Sequence, residues 1–118
     1  MQPPNPFRDL RPWGEELWLT RDHEAPAMVK VITVKPGESL SLQFHRRHDE
    51  FWYVLSGDGT AEVGDSKVPL NAGVTCFIPR ETHHRIASGS SVLTFLELAF
   101  GDFDENDIIR LEDKYGRV

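Results

Sequence analysis

Turn-forming residues interrupt this chain too often for a helical bundle. Eight prolines and nine glycines fall among 118 residues, and from Val29 onward they separate short β-branched and aromatic runs. Val29–Lys35 stops at Pro36-Gly37, Leu40–His45 at the corner Arg46-Arg47-His48-Asp49, and Phe51–Leu55 at Ser56-Gly57-Asp58-Gly59. Thr60–Val63 and Lys67–Leu70 flank Gly64-Asp65-Ser66, and Val74–Ile78 ends at Pro79. His84–Ala87 and Val92–Phe100 are joined by Ser88-Gly89-Ser90-Ser91. Short strands at such spacing, with no alternating helices, predict an all-β antiparallel sandwich or barrel. The apolar cluster after Asp107 predicts a short C-terminal helical segment near residues 108–113.

Length limits the chain to one domain, taken as residues 13–118, behind a Pro-rich N-terminal arm at residues 1–12. That arm reads either as a disordered tail or as a strap along a partner subunit of a homodimer. Thirteen Lys and Arg against 19 Asp and Glu give a net charge of −6, with no basic block. This excludes the electrostatic footprint of a nucleic-acid binder. No apolar run approaches the roughly 20 residues that cross a bilayer, so no membrane partner is expected. The opening MQPPNPFRDL lacks the layout of a signal peptide, and a single Cys76 suits a reducing, cytoplasmic location. Cys76 itself reads as a buried structural thiol.

Four of the five histidines lie in two windows, His45/His48 and His83/His84. Histidine is the commonest metal ligand, so the two windows suggest convergence on one ion. Gln43 and His45 are two apart on an expected strand and share a face. Glu50 opens the next strand across the corner, and His84 arrives from a later one.

PGESLSLQFHRRHDEFWYVLSG resembles the first cupin motif: Gly37, Gln43, His45, Glu50 and Gly57 stand at its spacing. GVTCFIPRETHH, with Gly73, Pro79 and His84, resembles the second. RPWG at residues 11–14, VKPGESLSLQ at 34–43 and DIIRLEDKYGR at 107–117 resemble the type II mannose-6-phosphate isomerase cupin domain. The resemblance implies a single cupin jelly-roll β-barrel binding one divalent metal on Gln43, His45, Glu50 and His84. Zinc is the first expectation for that mixed N/O set, which also suits iron, manganese, nickel or cobalt.

The resemblance further implies an isomerase interconverting mannose 6-phosphate and fructose 6-phosphate through a metal-stabilised enediolate. The ligand class expected is a small anionic molecule or phosphosugar. Lys30, His48, Glu81 and His83 are the candidate catalytic residues, and Arg47 and Arg117 the candidate phosphate contacts, since a guanidinium fork matches phosphate. The motif departs from the family in places. His48 stands at the family's arginine position, Phe51 at that of a histidine, and Glu81 at that of a glycine. These departures keep open another metal-dependent cupin enzyme, of oxygenase or decarboxylase type, and a non-catalytic sugar- or acid-binding module. Trp13, Trp18 and Trp52 read as core or dimer-contact aromatics.

Overall fold

The computed structural model describes residues 1–118, which form strands and turns and no helix, so no helix is present to cross a membrane. In chain order the strands are β1 (Phe7–Arg11), β2 (Gly14–Trp18), β3 (Met28–Val34), β4 (Leu42–Phe44), β5 (His48–Ser56) and β6 (Asp58–Val63). They continue with β7 (Ser66–Asn71), β8 (Thr75–Ile78), β9 (His84–Ser88), β10 (Leu93–Gly101) and β11 (Ile109–Glu112). Two sheets face each other, one in the order β3-β10-β5-β8 and the other β11-β4-β9-β6-β7, while β1 and β2 form a separate hairpin. This is the all-β jelly-roll sandwich that the turn spacing and the motifs imply.

Alternation along the two long central strands decides what lies between the sheets. Glu50, Trp52 and Val54 of β5 share one face, as do Leu93, Phe95, Glu97 and Ala99 of β10. At one end of the sandwich these faces are apolar: Trp52, Val54, Leu93 and Phe95 join Ile78, Ile86, Ala61 and Leu70 in the main core. At the other end the same faces carry Glu50 and Glu97, so the hydrophobic core gives way to a polar chamber. The opposite faces of β5 and β10 bury Phe51, Leu98 and Phe100 in a second cluster, with Leu19 against it. Gly57, at φ 94°, allows β5 to turn into β6 where a Cβ would fall on the Val92 carbonyl.

The expected C-terminal helical segment is instead β11, paired antiparallel with β4 through Ile109–Phe44 and Arg110–Gln43. The apolar residues 108, 109 and 111 fit a helical turn as well as a short strand. Pairing with the free edge of β4 settles it, and it turns Arg110 toward the chamber. The expected N-terminal arm is also more structured than its prolines suggest. Residues 7–11 pair with 14–18, so the hairpin straddles the boundary expected between residues 12 and 13. Ion pairs of Arg8 with Glu15 and of Arg11 with Asp9 and Glu16 decorate it.

Candidate metal centre

The polar end of the sandwich opens into a cavity of about 310 Å³, lined by Lys30, Gln43, His45, His48, Glu50, Glu97, Asp107 and Arg110 among others. Three adjacent strands rank Arg110, Gln43 and His84 side by side, because Gln43 is the register partner of both. Glu50 comes from β5 in the opposite sheet, and His45 from the end of β4. One donor atom each from His45, Glu50 and His84 lies within 4.8 Å of the others. All three residues are buried.

Backbone carbonyls set the tautomers. Nδ1 of His45 donates to the Asp107 carbonyl at 2.7 Å, and Nδ1 of His84 to the Thr82 carbonyl at 3.0 Å. Both Nε2 atoms therefore face inward. His84 Nε2 is buried without any hydrogen-bond partner. His45 Nε2 stands 3.0 Å from Glu50 Oε2, and His84 Nε2 3.8 Å from Glu50 Oε1. For His84, whose Nε2 has no donor beside it, a bare lone pair facing a carboxylate is unfavourable unless a cation lies between them. The donor set thus fits a divalent metal. Gln43 stands beside it, its amide nitrogen 3.3 Å from His45 Nε2 and its oxygen accepting from the Ser41 hydroxyl at 2.5 Å.

Without a metal the charges fall as these contacts dictate. Burial pushes the Glu50 carboxyl up, but hydrogen bonds from His45 and His48 and the charge of the imidazoles outweigh it, holding Glu50 well below the usual range. Burial pulls His45 down, yet Glu50 and the Asp107 carbonyl raise it overall. For His84 burial wins and lowers it, which keeps its lone pair available. Trp52 Nε1 donates to Glu50 Oε1 at 3.1 Å and fixes that carboxylate from the core side.

The other expected site residues divide. Lys30, on the edge strand β3, lines the mouth, with its Nζ 5.4 Å from the Phe103 ring centroid. His48 is fully buried, and its Nε2 lies 3.0 Å from Glu50 Oε2. Glu81 and His83 do not reach the cavity. Glu81 is an exposed turn residue, and His83 lies in the same turn, where its carbonyl accepts the Gly64 N–H. Arg47 is also outside, drawn by its charge to Asp104 at 3.1 Å and Asp102 at 3.5 Å. Arg117 touches the rim but is committed to Asp113 at 2.6 Å, and that pairing holds the Asp113 carboxyl down at about 2.

Two residues in the cavity were not singled out from the sequence. Glu97, on the inner face of β10, has its carboxyl pushed up to about 8 by burial and by the charge of Glu50. Arg110 has a buried Nε without a partner and forms no ion pair. The signal for both was a charged residue inside an otherwise apolar strand run. Cys76 is buried, as expected, and burial pushes its thiol up to about 11.

Residues 6–113 match the family model described as "Mannose-6-phosphate isomerase C-terminal". The xanthan biosynthesis protein XanB of Xanthomonas campestris pv. campestris (strain B100) is 39% identical over 110 residues, covering 92% of this chain and 23% of that protein. The alginate biosynthesis protein AlgA of Pseudomonas aeruginosa is 40% identical over 110 residues, covering 92% of this chain and 22% of the other. The mannose-1-phosphate guanylyltransferase ManC of Salmonella typhimurium is 36% identical over the same length, again covering 92% and 22%. The chain therefore spans under a quarter of these relatives. A cupin protein from Bacteroides fragilis shares the fold, with a TM-score of 0.60 at 21% identity over 71% of this chain and 76% of that one.

These findings overturn the expectation of a mannose 6-phosphate–fructose 6-phosphate isomerase. The relatives carry the names of guanylyl transfer to mannose 1-phosphate and of polysaccharide biosynthesis. Of the residues expected to act on the substrate, Lys30, His48 and Arg117 line the cavity, while Glu81, His83 and Arg47 lie off it.

Proposed function

The chain belongs to the mannose-6-phosphate isomerase C-terminal family, and from that premise we propose that it is the metal-centred ligand-binding module of an enzyme of sugar-nucleotide formation. His45, Glu50 and His84 hold the metal in this reading, with Gln43 beside them. Zinc is the metal named first, and iron, manganese, nickel or cobalt suit the same donors. Such an ion, when bound, supplies Lewis acidity and an attachment point for ligand oxygens.

The observation that carries the ligand class is the pair of cations at the cavity, Arg110 and Lys30, that form no ion pair, although Glu97 is the cross-strand neighbour of Lys30. Arg110 lies in rank with Gln43 and His84, its Nε buried and unpartnered, and Lys30 stands at the mouth on β3. Arg117 at the rim is already paired with Asp113, and Arg47, outside the cavity, with the acidic loop. Two free cations beside a cluster of hydroxyl-binding acceptors suit a small anionic, hydroxylated ligand such as a sugar phosphate. Calorimetric titration of the metal-loaded chain with mannose 1-phosphate tests this. Binding is expected for the phosphate and not for mannose, weakening at least tenfold in Arg110→Ala and Lys30→Ala while metal content stays unchanged. Equal binding of mannose, or no loss in either variant, contradicts the ligand assignment.

The same reading makes the chain a homodimer in the cytoplasm. The β1–β2 hairpin pairs with no other strand of its own chain and leaves Leu10 and Trp13 exposed. Strand β3 is a sheet edge carrying exposed Val29 and Val31. An unpaired hairpin and an unpaired apolar edge in one molecule favour a second copy as the occupant of both.

A further inference from the structure

A second cavity, of about 540 Å³, adjoins the metal-facing one. Leu40 and Arg117 line both, so the two meet at these residues. One side of the second cavity is the end of the edge strand β3, at Thr33 and Val34, with Lys35 following. The other side is the C-terminal turn, which is pinned over residues 37 and 38. The Tyr115 hydroxyl donates to Glu38, and Lys114 Nζ donates to Glu38 Oε1 at 3.1 Å and to the Gly37 carbonyl at 3.4 Å.

The groups along this groove are those that a nucleotide needs. Tyr115 is 57% exposed although its hydroxyl is tied down, so an aromatic surface is held fixed at the groove. Such a ring stacks a planar base whatever the pattern on the base's edge. Thr33 and Ser39 offer hydroxyls, and Lys35 and Arg117 offer positive charge. The one acid of the lining, Glu38, is already engaged: hydrogen bonds from Tyr115 and Lys114 hold its carboxyl below the ordinary value. Arg117, at the junction, gives Nε at 2.6 Å and Nη2 at 3.3 Å to Asp113, which leaves the donors of Nη1 for a phosphate. Size agrees. The metal-facing cavity, at about 310 Å³, is at the small end of the roughly 300–1,000 Å³ of ligand sites, and the adjoining groove extends it well into that range.

We propose that the two cavities form one site for a nucleoside diphosphate sugar. The sugar occupies the metal-facing cavity, with its own phosphate between Lys30 and Arg110. The second phosphate lies at Arg117, and the base lies against Tyr115. This rests on the ligand reading above and extends it, because a sugar phosphate fills only the inner half of the site. It also gives Arg117 a use that its pairing conceals: Asp113 holds the guanidinium at the junction without taking all of its donors.

The test is calorimetric titration of the metal-loaded full chain with GDP-mannose, with mannose 1-phosphate and with GDP. GDP-mannose should bind about tenfold more tightly than mannose 1-phosphate, a gain within what one base–aromatic stack supplies. Tyr115→Ala should remove that gain and leave mannose 1-phosphate binding unchanged. Tyr115→Phe, which keeps the ring and loses the bond to Glu38, should bind GDP-mannose as the wild type does. Lys35→Ala, at an exposed position, should weaken GDP-mannose binding and leave mannose 1-phosphate binding unchanged even if the Tyr115 variants fold poorly. If the wild type binds GDP-mannose and mannose 1-phosphate alike, or if Tyr115→Phe is as weak as Tyr115→Ala, the proposal is overturned and the sugar-phosphate reading stands. GDP binding as tightly as GDP-mannose would also overturn it, since the sugar would then contribute nothing. If neither mannose compound binds, reading and proposal fall together.

Discussion

The backbone N–H of Glu81 donates to the carbonyl of His45, tying the turn after β8 to the strand end that carries a metal-facing imidazole. Glu81 makes this contact at φ 67°, the left-handed region that favours glycine, and glycine is what the related motif has there. The departure at position 81 is therefore a strained turn and not a relocated catalytic carboxylate. A non-glycine residue in that region costs roughly 1–2 kcal/mol, against roughly 0.5–1 kcal/mol for the added chain entropy of glycine. Glu81→Gly should thus stabilise the fold by about 0.5–1 kcal/mol in urea denaturation, and Glu81→Ala should give no gain. A loss of stability in Glu81→Gly would refute the strain.

Glu97 gives the metal-free chain a distinctive pH dependence. Its folded carboxyl titrates at about 8, against an ordinary value of 4.5. Between those values the folded state holds a proton that the unfolded state has lost, so stability falls as pH rises through the window. The contribution is complete below pH 4.5 and gone above about 8. In chelator, the urea midpoint of the wild type relative to Glu97→Gln should drop from pH 5 to pH 9. A difference that stays constant, or rises, refutes it.

Trp52 links the apolar core to the centre, its ring tilted at 55° against Phe95 and its N–H donating to Glu50. Trp52→Phe keeps most of the apolar packing but removes the N–H. Metal affinity should fall about 10–100-fold, as for loss of other partners that orient a ligand. A competition assay with a chromophoric chelator measures this, and an unchanged affinity would show that Glu50 is positioned without Trp52.

Most of the sandwich was legible because its strands are short and sharply punctuated, and because His45, Glu50 and His84 sit at motif spacing. What the sequence hid has specific causes. Glu97 lies inside the run Val92–Phe100, which reads as a buried strand; only the pairing of β10 with β5 shows that its inward face meets a chamber at that point. Arg110 was obscured because the apolar residues around it suit a helix and a strand equally. The β1–β2 hairpin was masked by prolines placed before β1 and at its tip, where they do not block the ladder. Arg47 illustrates the limit of charge reasoning: its corner was identified, but the acidic loop that captures it lies 55 and more residues away in sequence.

The unpaired hairpin leads to a test of assembly. Light scattering should give the mass of a dimer, and Leu10→Ser with Trp13→Ser should shift it to the monomer. Strictly monomeric behaviour of the wild type at high concentration would refute the homodimer.

The account turns on whether the buried Nε2 atoms of His45 and His84 face an ion. Metal analysis after equilibrium dialysis is the most direct measurement. One divalent ion per chain should be bound by the wild type, and none by His45→Ala or His84→Ala, with both variants still giving a β-sheet spectrum. A wild-type chain that retains no metal after dialysis against zinc, iron, manganese, nickel or cobalt would contradict the central claim.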